Sequence, residues 1–345
     1  MDMLNFRSDT QTLPTEEMLD AMRSAPLGDD VFGEDPTVNK FEAMAAAKMG
    51  KQAAMLVISG TMGNLVSLMT HANAIGGEVF VDPFAHIFFN EGGGLASIAG
   101  YMPMPLASHD GLLDPDELAA AIRKPNIHQP VPRLLSLENS HNRSGGRLTP
   151  LDLHRKLCKV ARERGLAIHL DGARIFNAAV AAGVEASAYA ADVDSVQFCL
   201  SKGLSCPLGS VVVGSAEFIE RARFHRKRIG GGMRQAGIIA AAGIVALEKM
   251  IDRLADDHAN AKLLAGGLNA VPGLSVKIET VDTNMVNVDH TGTGLSTDEV
   301  MAKLKDTGVI VSPRPPKAFR MVTCRHTGKS EVEEVIERVG NALSI

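Results

Sequence analysis

Between residues 53 and 245 short apolar runs alternate with amphipathic stretches, and that alternation sets the expected fold. Residues 53–58 (AAMLVI), 78–81 (EVFV), 133–137 (RLLSL), 166–170 (LAIHL), 195–200 (SVQFCL) and 209–213 (GSVVV) read as strands. Helical segments fall between them. DPDELAAAIRK carries Asp114 as N-cap, Pro115 at the first helical position and Glu117 three residues after the cap. TPLDLHRKLCKVARERG is expected to start in the same way at Thr149 and Pro150. Leu153, Leu157, Val160 and Ala161 hold one face of it, and Gly165 stops it. Such strand–helix alternation predicts an α/β fold, a mostly parallel sheet sandwiched by helices, with ligands bound at the carboxyl ends of the strands.

Beyond this region one long helix is expected over about 235–270. The remainder contains VDTNMVNVD, a helix opened by the capping pattern Ser296-x-x-Glu299, and FRMVTC. It reads as a smaller C-terminal α+β domain. The expected division is an N-terminal arm over 1–16, lying on the main body or on a partner subunit, a large domain over 17–249 and a small one over 250–345.

Composition narrows the chemistry. Of 345 residues, 45% are hydrophobic and 22% charged, with a formal net charge of −5, so no cationic surplus exists to neutralise a nucleic-acid backbone. No apolar run approaches the roughly 20 residues of a membrane helix, and the N-terminus lacks the apolar core of a signal peptide. Cys158, Cys199, Cys206 and Cys324 show neither CxxC pairing nor histidine partners at zinc spacing. A Cys199–Cys206 disulfide is not expected, no metal site is expected, and a reduced cytoplasmic setting is the simpler reading.

Four strand ends carry candidate chemistry. Ser59-Gly60-Thr61-Met62-Gly63-Asn64 opens a helix with free N–H groups suited to a phosphate, although an ordinary N-cap also explains it. Asp171 ends a strand, as either a loop cap or a buried partner for a cation. Lys202 follows the next strand 31 residues later, about one βαβ unit. His86 lies among aromatic residues, suited to structural hydrogen bonding or to stacking on a heterocycle. Each has an ordinary reading alone. Together, a phosphate cup, an aspartate, a lysine and a stacking ring are what pyridoxal 5'-phosphate needs: an amine for its aldehyde and an anion for its pyridine nitrogen.

The motifs FRSDTQTLPTEEM, GDDVFGEDPTVNKFE, SGTMGN, PNIHQP, ENSHNRSGGR, HLDGARIFNA, FCLSKGL and GGGMRQAG resemble those of the low-specificity L-threonine aldolases, pyridoxal-phosphate enzymes of fold type I. The likeness weakens after residue 270. It implies that Lys202 bonds the cofactor aldehyde, Asp171 pairs with the pyridinium nitrogen, and His86 stacks on the ring and acts on the substrate hydroxyl. It implies that Gly60 and Thr61 hold the phosphate with Arg234, that Ser8, Arg174 and Arg320 bind the substrate carboxylate, and that His128 faces the substrate side chain. Arg174 also counts with the cofactor set, and Glu91 and Lys227 are further members. The general base stays open between His86, His128, a water and the cofactor phosphate. Phe32 stands where the family commonly has tyrosine, and Cys324 where histidine often follows VT.

The activity implied is retro-aldol cleavage of threonine or allo-threonine to glycine and an aldehyde, by a homodimer or homotetramer with interface sites. The alternatives are a transaminase, β-eliminating lyase or serine hydroxymethyltransferase-like enzyme, a non-catalytic cofactor-binding scaffold, and a nucleotide-binding α/β enzyme.

Overall fold

The computed structural model describes residues 3–72, 76–124 and 126–343. Seven strands form the main sheet: β1 (Ala53–Val57), β2 (Gly77–Val81), β3 (Met102–Pro105), β4 (Val131–Glu138), β5 (Ala167–Asp171), β6 (Ser195–Cys199) and β7 (Ser210–Gly214). Their order is β1-β7-β6-β5-β4-β2-β3, with β7 antiparallel to both neighbours and the other pairs parallel. The apolar runs are continuous because both faces are covered. Ala54 and Leu56 join one buried cluster, with Phe41, Ala240 and Leu157, while Met55 and Val57 join another, with Val66 and Ile219. Helices Pro36–Lys48 and Gly237–Lys249 lie on the first side, and Gly60–His71 and Ala216–Arg228 on the second.

The six expected strands occur within two residues of their expected ends. The sheet's seventh strand, β3, has the sequence MPMP, which gives no strand signal. Its prolines are tolerated because β3 is an edge strand. The helix expected from Thr149 and Pro150 runs over Leu151–Glu163, with Pro150 at the cap position and no side-chain cap. Thr149 is instead tied to the strand end, its N–H donating to Asn139 Oδ1 at 3.1 Å.

The single helix expected over about 235–270 is two, Gly237–Lys249 and Leu254–Asn269. The chain changes partners just past the break, with Leu254 at the start of the second helix still in the main core. Ala240 and Val245 pack in the main core, whereas Ala261, Leu264 and Leu268 pack in a second core with Val286, Phe319 and Val335. That second core lies beneath an antiparallel sheet of β8 (Met285–Asp289), β9 (Ser312–Arg314) and β10 (Ala318–Val322), in the order β8-β10-β9. Ser296 and Glu299 form the expected capping box.

Residues 4–6, expected as part of an arm on the main body or a partner, enter the second core. Leu4 and Phe6 belong to the second core, and Leu4 pairs in parallel with Val309. Two large apolar side chains drive this insertion, each with roughly 2 kcal/mol to gain from burial. The segment then crosses to the main body, carrying Ser8 and Asp9 into the junction between the two cores.

Candidate active site

Strand alternation builds the site floor. In β5 Ile168 and Leu170 face the main core, so His169 and Asp171 face the helix Gly60–His71. In β6 Val196 and Phe198 do the same, leaving Ser195, Gln197 and Cys199 on the helix side. Glycine lets that helix settle on this polar strip. A Cβ on Gly60 would lie 2.8 Å from Cys199 Sγ, and one on Gly63 2.6 Å from Gln197 Cγ. Ser59 caps the helix by accepting from Met62 N–H at 3.2 Å, and Gly60 and Thr61 form its first turn. The positive end of a twelve-residue helix therefore opens beside the strand that leads to Lys202.

Asp171 is 1% exposed, and no cation pairs with it among the described residues. Its Oδ2 accepts from Asn64 Nδ2 at 2.9 Å and its Oδ1 from Ala173 N–H at 3.0 Å. Asn64 Nδ2 also donates to Glu91 Oε1 at 2.9 Å, and the same oxygen lies 2.8 Å from His86 Nδ1. His86 has its pKa raised, chiefly by the hydrogen bond to Glu91; burial opposes the rise and the Asp171, Glu91 and Glu138 charges support it. His86, Glu91 and Asp171 place ligand atoms within 4.8 Å of one another. Asn64 spans two of them, which joins the trio in one hydrogen-bonded cluster.

Asn64 fixes a chain of donors behind Asp171. Both amide hydrogens face carboxylates, so its Oδ1 must accept, and His169 Nε2 at 3.0 Å donates to it. His169 Nδ1 then accepts from Ser195 Oγ at 2.8 Å, and that oxygen accepts from His71 Nε2, also at 2.8 Å. Burial presses His71 to about 4 and His169 to about 3, so both rings are neutral near pH 7 and each is confined to one tautomer. Every donor in the chain points towards Asp171.

Lys202 follows β6 in a tight turn, its carbonyl accepting from Ser205 N–H at 2.9 Å. Ser205 takes φ +67°, a left-handed conformation uncommon for a residue with a Cβ. Gly203 lets the helix beginning at Leu254 approach, since a Cβ there would lie 2.8 Å from Leu254 Cδ2. The Lys202 ammonium is half-buried and has no ion pair within 4.0 Å among the described residues. Its charge nevertheless acts on Asp9.

Arg174 has Nε 2.8 Å from Asp9 Oδ2 and one Nη 2.6 Å from Asp9 Oδ1, leaving the other Nη for a ligand. Asp9 also accepts from Asn284 Nδ2 at 3.2 Å. Burial alone would raise the Asp9 carboxyl; the Arg174 charge and hydrogen bonds, then Lys202 and Asn284, outweigh it and hold it at about 2. Ser8 Oγ is engaged within its own turn by Thr10. Arg320 donates to Asn142 Oδ1 at 2.7 Å.

Three expected members lie apart. Lys227 and Arg234 gather around the segment Asp29–Phe32. Arg234 pairs with Asp29 at 2.8 Å and lies 5.9 Å over the Phe32 ring, which is 72% exposed. Lys227 Nζ lies close to Gly232, beside Val31. His128 is exposed on its loop, its N–H bonded to Asn126 Oδ1. None of the three bonds to the Asp171 cluster.

Sequence reasoning missed Asn64, Asp9, the His169–Ser195–His71 chain and Glu138. Half-buried Glu138, beside Asp171 at the end of β4, accepts from His86 N–H at 2.6 Å and Asn142 N–H at 2.7 Å, tying two loops together; desolvation raises its pKa. The carboxylate at a strand end that singled out Asp171 was equally visible at Glu138.

The residues fit pyridoxal phosphate: a buried carboxylate and, one strand away, an amine, neither in an ion pair among the described residues, and a helix N-terminus that a single Cβ would block. The comparisons agree. The beta-eliminating lyase family matches residues 5–291. Low-specificity L-threonine aldolase 1 of Arabidopsis thaliana is 42% identical, covering 99% of this chain and 97% of its own. The low specificity L-threonine aldolase of Escherichia coli K12 is also 42% identical, covering 96% and 97%. The threonine aldolase of Leishmania major superposes with a TM-score of 0.84 at 18% identity, covering 99% of each chain. This chain belongs to the beta-eliminating lyase family and, within it, to the low-specificity L-threonine aldolases.

Proposed function

We propose that this enzyme cleaves L-threonine and L-allo-threonine, and related β-hydroxy-α-amino acids, to glycine and an aldehyde. The observation that carries the reading is the buried Asp171 at the end of one strand and the Lys202 amine after the next, neither with an ion pair among the described residues. Lys202 would hold the aldehyde carbon of pyridoxal phosphate, Asp171 its protonated ring nitrogen and the Gly60–Thr61 turn its phosphate. Bound there, the cofactor supplies the electron sink that breaking Cα–Cβ requires.

The chain's own residues do the rest. Arg320 and the free edge of Arg174 bind the substrate carboxylate and fix rotation about Cα, which decides which bond breaks. Asn64 and Ala173 N–H keep the Asp171 anion fixed in direction. The bond to Glu91 makes His86 a protonated ring until the pH rises above its raised pKa. Above it, the Nε2 lone pair is free to take the β-hydroxyl proton as the aldehyde departs. We assign this role to His86 over His128, because His86 alone belongs to the Asp171 cluster.

We further propose a cytoplasmic homodimer or homotetramer in which Lys227, Arg234 and His128 complete a neighbouring copy's site. Support comes from their separation from the Asp171 cluster and from the exposed Phe32 beneath Arg234. The four free cysteines accord with a reducing setting, and no helix among the described residues is long and apolar enough to cross a membrane. We keep the division near 250 as a proposal, with Met250 and Leu254 still packed in the main core and the second core taking up the chain from Ala261.

Product analysis tests the reading. The holoenzyme with L-threonine or L-allo-threonine should release equal amounts of glycine and acetaldehyde; a keto acid with ammonia, or a requirement for folate, would replace the aldolase with a related pyridoxal-phosphate chemistry.

A further inference from the structure

The substrate side of the site holds more guanidinium than one carboxylate can use. Arg314 in β9 pairs with Ala318 of β10, and Ser312 pairs with Arg320. Opposite residues of an antiparallel pair share a face, as do alternate residues, so Arg314 and Arg320 are diagonal neighbours on one face. That face meets the loop after β4, where Asn142 accepts from Arg320. The next residue, Arg143, lies 5.9 Å over the Phe84 ring and 6.0 Å over the Phe89 ring, the two phenylalanines that bracket His86. Arg143 also lines a cleft of about 520 Å³ with Phe84, Asn287 and Lys277, and the lining carries Asp110 and Asp289 as well.

Of the four arginines gathered here, only Arg174 has a carboxylate partner, Asp9. Arg143, Arg314 and Arg320 form no ion pair among the described residues, and Nε of both Arg314 and Arg320 is buried without a hydrogen-bond partner. The crowding is costly to the cations themselves. Burial, then Arg314 and Arg174, press Arg320 down to about 9 despite Asp9, with Arg143 adding to the effect; Arg314 is lowered by burial, Arg143 and Arg174. An α-carboxylate accounts for Arg320 and the open edge of Arg174. Arg143 and Arg314 are left over, and an anion arriving between them relieves both the repulsion and the unmet donors.

We propose that the preferred substrate is a β-hydroxy-α-amino acid with a second acidic group on its Cβ side, and that Arg143 and Arg314 recognise that group. The position of Arg143 over the phenylalanines around His86 puts the second charge towards the hydroxyl-bearing carbon. The inference rests on the aldol reading. The smallest such substrate is 3-hydroxyaspartate. Its Cα–Cβ bond breaks, the hydroxyl proton passes to the base, the oxygen becomes the carbonyl of glyoxylate, and Cα takes up one proton to give glycine. No oxidant, reductant or further reactant enters.

The holoenzyme is tested on L-threonine, L-allo-threonine and both L-3-hydroxyaspartate epimers. One hydroxyaspartate should exceed both threonines in kcat/KM at least tenfold. Arg143→Met and Arg314→Met should each lower that ratio at least tenfold, and Arg314→Lys should retain most of it. Calorimetric titration supplies a readout apart from turnover: succinate should bind at least tenfold more tightly than butyrate, with the difference lost in Arg314→Met. Should that variant fail to fold, half-buried Arg143, outside the small sheet, carries both measurements. Equal cleavage of threonine and hydroxyaspartate, or a ratio and a succinate preference that ignore both arginines, overturns the proposal. Succinate preference without cleavage of any substrate would overturn the aldol reading instead and leave the anion site standing.

Discussion

The two walls of the site are built on opposite plans. On the wall formed by the ends of β4, β5 and β6, Asp171, Glu91, Glu138 and Asn64 all find partners inside the chain. On the wall formed by β9 and β10, Arg314 and Arg320 keep donors that nothing among the described residues satisfies. The first wall suits a group that stays through every turnover, because its dipoles are fixed in advance and need no rearrangement. The second suits a visitor, because its unmet donors reward each arrival. Asp9 and Arg174 stand between them and link the N-terminal segment to both.

Removing the amine breaks the first wall most severely. Lys202→Ala should lower threonine cleavage by roughly 10⁴-fold or more, in keeping with the loss of other covalent catalytic residues, and should remove the cofactor's absorbance near the visible edge. Retained turnover would end the role given to Lys202. Arg320→Ala strikes the second wall. Truncating one member of a buried charge pair costs roughly 2–5 kcal/mol, so kcat/KM for threonine should fall at least about tenfold while the cofactor stays bound. Arg174→Ala should do the same, and wild-type kinetics in both would take them out of the site.

The link between the walls should show in acid. The Asp9 carboxyl is held at about 2 against an ordinary 3.8. A lowered carboxyl stabilises the fold fully above its unfolded value, and that stability is lost as the pH falls through the folded one. Roughly 2 kcal/mol should therefore disappear between about pH 4 and pH 2. Asp9→Asn should be less stable at pH 7 and should lack this part of the slope in acid unfolding. The smallest effect sharpens the role of His86. Glu91→Gln removes the main cause of its raised pKa, so the acid limb of kcat/KM should move to lower pH. A limb that stays in place would point to another base.

Much of the floor was legible because β strands write their two faces alternately. IHLD and SVQFC show polar residues at every second place between core residues, and Asp171 and Lys202 stand where those strands end. The partners of that polar strip were not legible. Asn64 belongs to it only because Gly60 and Gly63 let the helix approach, a tertiary fact with no local signal. Asp9 was hidden for a similar reason: its place depends on Leu4 and Phe6 entering a core otherwise made by residues 261–343. The edge strand MPMP and the break after Lys249 were missed because neither follows from periodicity. One depends on sheet position and the other on a change of packing partner.

The donor chain behind Asp171 also constrains how this sequence can vary. His71, Ser195, His169 and Asn64 come from one helix and two strands, yet each sets the proton position of the next. Exchanging one member leaves its neighbour with two donors facing or two acceptors facing, so single changes should be penalised more than compensated sets. Four positions scattered over residues 64–195 thus form one heritable unit. Descendants of this chain are expected to keep it whole or to replace it together.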